Sequence, residues 1–234
     1  MLDTYVQLLG IQREGYRALY ESADVISGQI ERDLEILRPC AIAMLAAVER
    51  HTRVPSLAQS TLYVAGDDGG MDQPLVDGWH TREPPFFARL VLQPYAECLA
   101  TVGRTPTRDL KLTGAVCPFC GGPPQLSILH ADSSADGGGR SLQCAMCATT
   151  WPLRRVLCPS CGEEDETQLG YFQAPEFEHL RVDACDTCQR YLKAVDLTRD
   201  GHAVPAVDEV AGAPLDLWAS GEGYRKIALN LIGL

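Results

Sequence analysis

The sequence predicts an α+β protein: a mostly helical N-terminal domain followed by two small metal-bearing β-ribbons in tandem. Three observations lead there. Apolar residues recur at steps of three and four in the first part of the chain, and that periodicity stops at about Thr113. Eight of the ten cysteines fall between Cys117 and Cys188, as four Cys-x-x-Cys pairs: Cys117/Cys120, Cys144/Cys147, Cys158/Cys161 and Cys185/Cys188. Cys158 and Cys185 follow Cys117 and Cys144 by the same 41 residues, so the stretch is a duplicated unit. The domains read as residues 1–112 for the helices, 113–157 and 158–200 for the ribbons, and 201–234 for a C-terminal helix and tail.

In the helical part, Ile30, Leu34, Leu37, Ala41, Leu45 and Val48 trace one buried helix face. Pro39 lies within that run and either kinks or splits it. Asp67-Asp68-Gly69-Gly70 reads as a turn. Pro84-Pro85 opens a second helix over 86–102, with Gly103 as its stop and Pro94 as a kink. Cys40 and Cys98, among alanines and leucines, read as small core residues. His51 and His80 read as structural or exposed. No nucleophile-base pair or phosphate loop stands out in this half.

The knuckles carry the chemistry. Cys117-Pro-Phe-Cys-Gly-Gly returns as Cys158-Pro-Ser-Cys-Gly-Glu. Cys144-Ala-Met-Cys and Cys185-Asp-Thr-Cys are each followed by an aromatic residue, Trp151 and Tyr191. Two residues between cysteines let both sulfurs face one ion from a tight turn, and two such turns complete a tetrahedral site. Equal spacing also allows a cross-braced arrangement, the first pair with the third and the second with the fourth. The duplication favours sequential pairing, because a repeated unit with its own four ligands can fold around its own ion. Short strand-like segments flank each loop, and 131–139, rich in Ser, Asp and Gly, reads as a mobile hairpin tip. His130 and His179 lie near the sites but are not needed as ligands. After residue 200, 204–218 reads as a helix interrupted at Gly212-Ala-Pro214. Gly221-Glu-Gly-Tyr224 reads as a turn, and an apolar tail from Arg225 docks on the body.

Composition narrows the function. The net charge is −11, and residues 114–200 carry seven Lys or Arg against twelve Asp or Glu, which disfavours nucleic acid and anionic membranes. The longest strongly apolar run, 40–48, is nine residues, too short to span a bilayer. With no basic signal region at the N-terminus, a cytoplasmic protein without membrane insertion is expected. Thiols stay reduced there, so the pairs read as metal ligands rather than disulfides or redox motifs. Four thiolates close a site to water and substrate, which argues against metal-assisted hydrolysis. A structural ion or a one-electron centre remains, and the donor set suits iron and zinc alike.

The residues around the ligands resemble the FdhE-type formate dehydrogenase accessory proteins. The resemblance runs through Cys117-Pro-Phe-Cys-Gly-Gly-Pro-Pro, Leu142-Gln-Cys-Ala-Met-Cys-Ala-Thr-Thr-Trp and Arg155-Val-Leu-Cys-Pro-Ser-Cys. It continues through Asp183-Ala-Cys-Asp-Thr-Cys-Gln-Arg-Tyr-Leu-Lys193 and Glu222-Gly-Tyr-Arg225, with Pro85-Phe-Phe ahead of the knuckles. The resemblance implies rubredoxin-like (zinc-ribbon-like) domains holding two ions, iron or zinc, on the eight cysteines. It implies a cytoplasmic, non-enzymatic maturation factor, a chaperone whose partner is the catalytic subunit of formate dehydrogenase. Trp151, Arg155 and Tyr191 are the candidate partner contacts, beside the plainer reading that they pack around the metal sites. The alternative is a rubredoxin-like electron-transfer protein using four-cysteine iron centres.

Overall fold

A computed structural model gives the fold and describes residues 2–51, 70–110, 114–131 and 139–233. The expected turn at Asp67-Asp68-Gly69, the hairpin tip over 132–138 and the boundary at residue 113 lie outside the described residues. The chain divides into two compact units, one built mainly of residues 1–111 and one mainly of 112–230.

In the first unit, α1 (Leu2–Glu21), α2 (Ile30–His51), α3 (Asp72–Trp79) and α4 (Phe86–Val102) pack together. The bounds of α4 follow from its ends. Pro85 is extended at φ −60° and ψ 160°, and Gly103 terminates the helix in the left-handed region at φ 68°. Most of α4 is buried, including Phe87, Leu90, Leu92, Tyr95 and Leu99, and α1, α2 and α3 all pack against it. Helix α2 stays one element through Pro39, and α4 through Pro94. Asp33 anchors the start of α2: its carboxylate accepts from the Ser27 and Gly28 N–H groups and from the Tyr95 hydroxyl at 2.6 Å. Helix α1 buries Tyr5, Leu8, Ile11 and Leu19 at helical spacing. Cys40 and Cys98 are buried, and burial pushes the Cys40 thiol up to about 11, as befits inert core residues.

In the second unit each repeat folds as three strands. The first supplies β1 (Pro124–His130), β2 (Gly139–Cys144) and β3 (Thr150–Pro152), and the second β4 (Leu169–Phe172), β5 (Leu180–Cys185) and β6 (Arg190–Asp196). The ribbons join. Strand β1 pairs in parallel with β6, Leu126 opposite Lys193 and Leu129 opposite Asp196, giving one sheet in the order β3-β2-β1-β6-β5-β4. This pairing covers two edges that separate ribbons would leave open. Short β7 (Arg225–Lys226) pairs with β6 as well.

The C-terminal part breaks where the sequence suggests, into α5 (Pro205–Ala211) and α6 (Ala213–Gly221). Leu215 and Ala219 pack on Leu180, Val182, Ala184, Tyr191 and Val195. Beneath α5 and α6 lies a buried charge cluster. Lys193 is fully buried and approaches Asp216 at 2.5 Å and Glu209 at 3.2 Å. Lys226 bonds Glu209 and lies 3.1 Å from Asp216, while Asn230 donates to Glu209 at 2.9 Å. Two lysines face two carboxylates, so the cluster carries no formal net charge. Burial draws Lys193 below the usual lysine range, and Glu209 and Asp216 oppose that shift. The cluster ties α5, α6 and β7 to the sheet at β6.

Candidate metal centres

Each ligand pair sits on a turn whose backbone is set by one left-handed residue after the second cysteine. These residues are Gly121 (φ 70°), Ala148 (φ 55°), Gly162 (φ 81°) and Gln189 (φ 54°). The duplication extends to backbone hydrogen bonds: Cys117 N–H donates to Gly122 O at 2.9 Å, and Cys158 N–H to Glu163 O at 2.8 Å. The Met146 and Ser160 N–H groups each point at the sulfur two residues back, Cys144 and Cys158, at 3.4 Å. Such N–H donors favour the thiolate form that binds metal.

The turns bring the eight cysteines together as two sets, Cys117, Cys120, Cys144 and Cys147, then Cys158, Cys161, Cys185 and Cys188. Pairing is sequential, and the cross-braced alternative is not what the geometry shows. All sulfurs of a set lie within 4.8 Å of one another. Cys117 and Cys147 are 3.6 Å apart, and Cys158–Cys188 and Cys161–Cys185 are each 3.7 Å apart. A tetrahedral ion at about 2.3 Å from each sulfur requires sulfur separations of roughly 3.8 Å. A disulfide requires about 2.05 Å. The residues therefore fit a four-thiolate ion.

The surroundings of the two sites differ. All four ligands of the first are buried, between 2% and 4% exposed. In the second, Cys158 and Cys185 are buried, Cys188 is half-buried and Cys161 is exposed. Burial pushes the Cys158 thiol well up. At Cys161 burial also works upward, but the Glu163 N–H and the three neighbouring thiols outweigh it, and the net direction is down.

His130 and His179 stay outside both sets. His130 pairs with the Ser141 hydroxyl at 3.0 Å, and His179 with Asp208 at 3.2 Å. Trp151 is half-buried on β3 and packs on the cluster of Leu142, Leu192 and Ile227. Arg155 is exposed. Tyr191 lies inside: it is 3% exposed, and its hydroxyl donates to Asp216 at 2.8 Å. Its ring is part of the core, packed with Leu180, Val182 and Leu215, and not on the surface expected of a partner contact. Sequence reasoning also missed Arg140. This buried side chain donates to the Ser127 hydroxyl at 2.9 Å and to the carbonyls of Arg155 and Leu157 at 3.2 and 3.1 Å, and it lies 3.4 Å from Asp183. It thereby holds the segment that leads into Cys158 against both ribbons.

Family patterns match along this unit. The pattern described as "FdhE, central domain" covers residues 116–155, and "FdhE, C-terminal domain" covers 156–232. The chain belongs to the FdhE family. A protein FdhE homolog of Aquifex aeolicus is 37% identical over 117 residues, which is 50% of this chain and 41% of that protein. One from Pseudomonas putida is 33% identical over 135 residues, 54% of this chain and 42% of that protein. These alignments thus span about two fifths of the FdhE relatives' own lengths. The crystal structure of the FdhE protein from Pseudomonas aeruginosa shares the fold, with a TM-score of 0.63 at 23% identity, covering 97% of this chain and 79% of that one. None of the described helices is long and apolar enough to cross a membrane.

Proposed function

We propose that this chain is a cytoplasmic accessory factor that binds the catalytic subunit of formate dehydrogenase and assists its assembly before export or activation. The observation that carries the reading is that both four-cysteine sets are closed. Each presents four thiols around one point and leaves no open position for substrate or water. An iron or zinc ion held there would fix the knuckles and shape a surface. FdhE membership directs the choice of partner, and reduced thiol ligands suit a reducing compartment. The contact surface includes Trp151 and Arg155, and the factor performs no chemistry of its own.

Affinity capture of the dehydrogenase catalytic subunit tests this. The wild-type chain retains the immature subunit, and the Trp151→Ala and Arg155→Ala variants retain less at unchanged metal content. No capture by the wild-type chain contradicts the reading.

One observation favours a second reading, a rubredoxin-like electron-transfer protein: the exposed Cys161 brings the second site to the solvent. A red protein that bleaches reversibly with dithionite supports that role, whereas a colourless protein with two zinc ions ends it.

A further inference from the structure

We propose that the free edge of β4, with the arginine-lined cavity beside it, receives an extended acidic segment of the partner as an added strand. For the partner's identity the inference rests on the maturation-factor reading. Its geometry stands on the second unit alone.

The duplication exposes the edge. Within the 41-residue repeat, β4 is the counterpart of β1. The outer edge of β1 is paired with β6, whereas β4 pairs with β5 only and ends the sheet. Protein sheets commonly protect such edges with proline, charge or a bulge. The opposite edge does so, since β3 ends at Pro152. Strand β4 reads Leu169-Gly-Tyr-Phe172, pairs with β5 in unbroken register, and carries no proline, charge or bulge within its four residues. Gln168 O accepts from Asp186 N–H across this ladder. Antiparallel alternation then turns the backbone groups of Leu169 and Tyr171 outward, where an added strand would pair with them.

Both faces of this edge carry exposed aromatics. Tyr171 is 67% exposed and stacks on the Arg181 guanidinium at 5.1 Å. Successive strand residues face opposite sides, so Phe172 lies on the other face, against Trp218 at 4.7 Å between ring centroids. An added strand would cover both rings.

Charge selects the occupant. On the Tyr171 face the edge borders a cavity of about 360 Å³. Its lining includes Arg140, Arg155, Arg181 and Arg190 against Glu166 and Asp183, a positive surplus in a chain of net charge −11. Asp183 engages Arg140 and Arg181. Arg190 makes one hydrogen bond, to Lys226 O, and the exposed Arg155 side chain has no hydrogen-bond or ion-pair partner among the described residues. The neighbouring four-thiolate centre, at −2 with a divalent ion, offsets that surplus of two, so the selection rests on the individual guanidinium groups. The unused guanidinium donors nevertheless match side-chain carboxylates carried on alternate residues of a strand. A second copy of this chain fits poorly: its β3 edge ends in Pro152, and joining β4 to β4 would bring two arginine-lined cavities onto one face.

Fluorescence anisotropy on the full, metal-loaded chain tests the inference with a labelled Val-Glu-Val-Glu-Val-Glu-Val peptide. Three changes should each weaken binding about tenfold: Gln in place of Glu, N-methylation of alternate peptide N–H groups, and Arg155→Glu on the protein. Because Arg155 is exposed and N-methylation leaves the protein untouched, a folding defect cannot imitate the pattern. Equal binding of the Gln peptide, or no effect of N-methylation, overturns the proposal. Capture of the dehydrogenase subunit separates the two readings. Capture that is unchanged in Arg155→Glu sinks the docking site and removes Arg155 from the contact surface, while the accessory role itself stands. Failure of wild-type capture sinks the function, while the peptide result still decides whether the edge binds acidic strands.

Discussion

The two four-cysteine sites share one knuckle geometry and differ in what surrounds it. The left-handed residues at 121 and 162, and at 148 and 189, keep the 41-residue register, as do the hydrogen bonds from Cys117 to Gly122 and from Cys158 to Glu163. Yet the first set is wholly buried, and the second exposes Cys161 and half-exposes Cys188. The difference teaches that ligand spacing builds the cage, while the packing around it decides which solutes reach the ion. Duplicated sequence therefore yields one sealed site and one accessible site within a single sheet.

The largest expected effect separates them by mutation. Structural four-thiolate ions are linked to folding at roughly 10–16 kcal/mol. Cys147→Ser, at the buried site, should cost the second unit its cooperative unfolding transition. Cys188→Ser should release one ion and leave a measurable, lowered transition. Calorimetry with metal analysis checks both, and equal damage from the two variants would break the comparison.

Next in size is the buried charge cluster. Lys193→Met leaves Glu209 and Asp216 with Lys226 as their one nearby cation among the described residues, at a cost of about 3–5 kcal/mol. Lys193 lies on β6, shortly after Cys188, so metal loss should accelerate at the second site more than at the first. Chemical denaturation and metal-release rates would show it.

A smaller effect lies in the helices and has the opposite pH sense. Burial pushes the Glu97 carboxyl up to about 7. Because the folded value is raised, its stabilising contribution is present below the unfolded value of about 4.5 and is lost as pH rises through 7. Glu97→Gln should therefore stabilise the first unit by about 1–3 kcal/mol at pH 8 and hardly change it at pH 4.5. Acid does the reverse at the cysteine sites, where protonated thiols release metal. Melting curves across this range distinguish the two behaviours.

What could be read from the sequence follows the range of each signal. Local signals sufficed for α4, whose ends are written in Pro85 and Gly103, and for the eight ligands, whose spacing fixes their turns. Gly121 and Gly162 announce their left-handed turns, but Ala148 and Gln189 adopt the same conformation without a glycine to mark it. Long-range pairings left no such trace. The parallel union of β1 with β6 joins residues far apart in the chain, so the two expected ribbons gave no sign that they merge into one continuous sheet. Tyr191 follows a knuckle and read as a candidate partner contact, but its hydroxyl partner, Asp216, lies 25 residues further on. Arg140 shows no motif at all, and its role comes from carbonyls and a carboxylate gathered by the fold.

The most direct measurement is native mass spectrometry of the anaerobically purified chain during exposure to a chelator. Two ions per chain at the outset, released one after the other at rates differing about tenfold or more, with the first-released ion absent from Cys188→Ser, is the expected result. One ion per chain, or two released together and both lost in Cys188→Ser, would contradict two independent four-thiolate sites of unequal access.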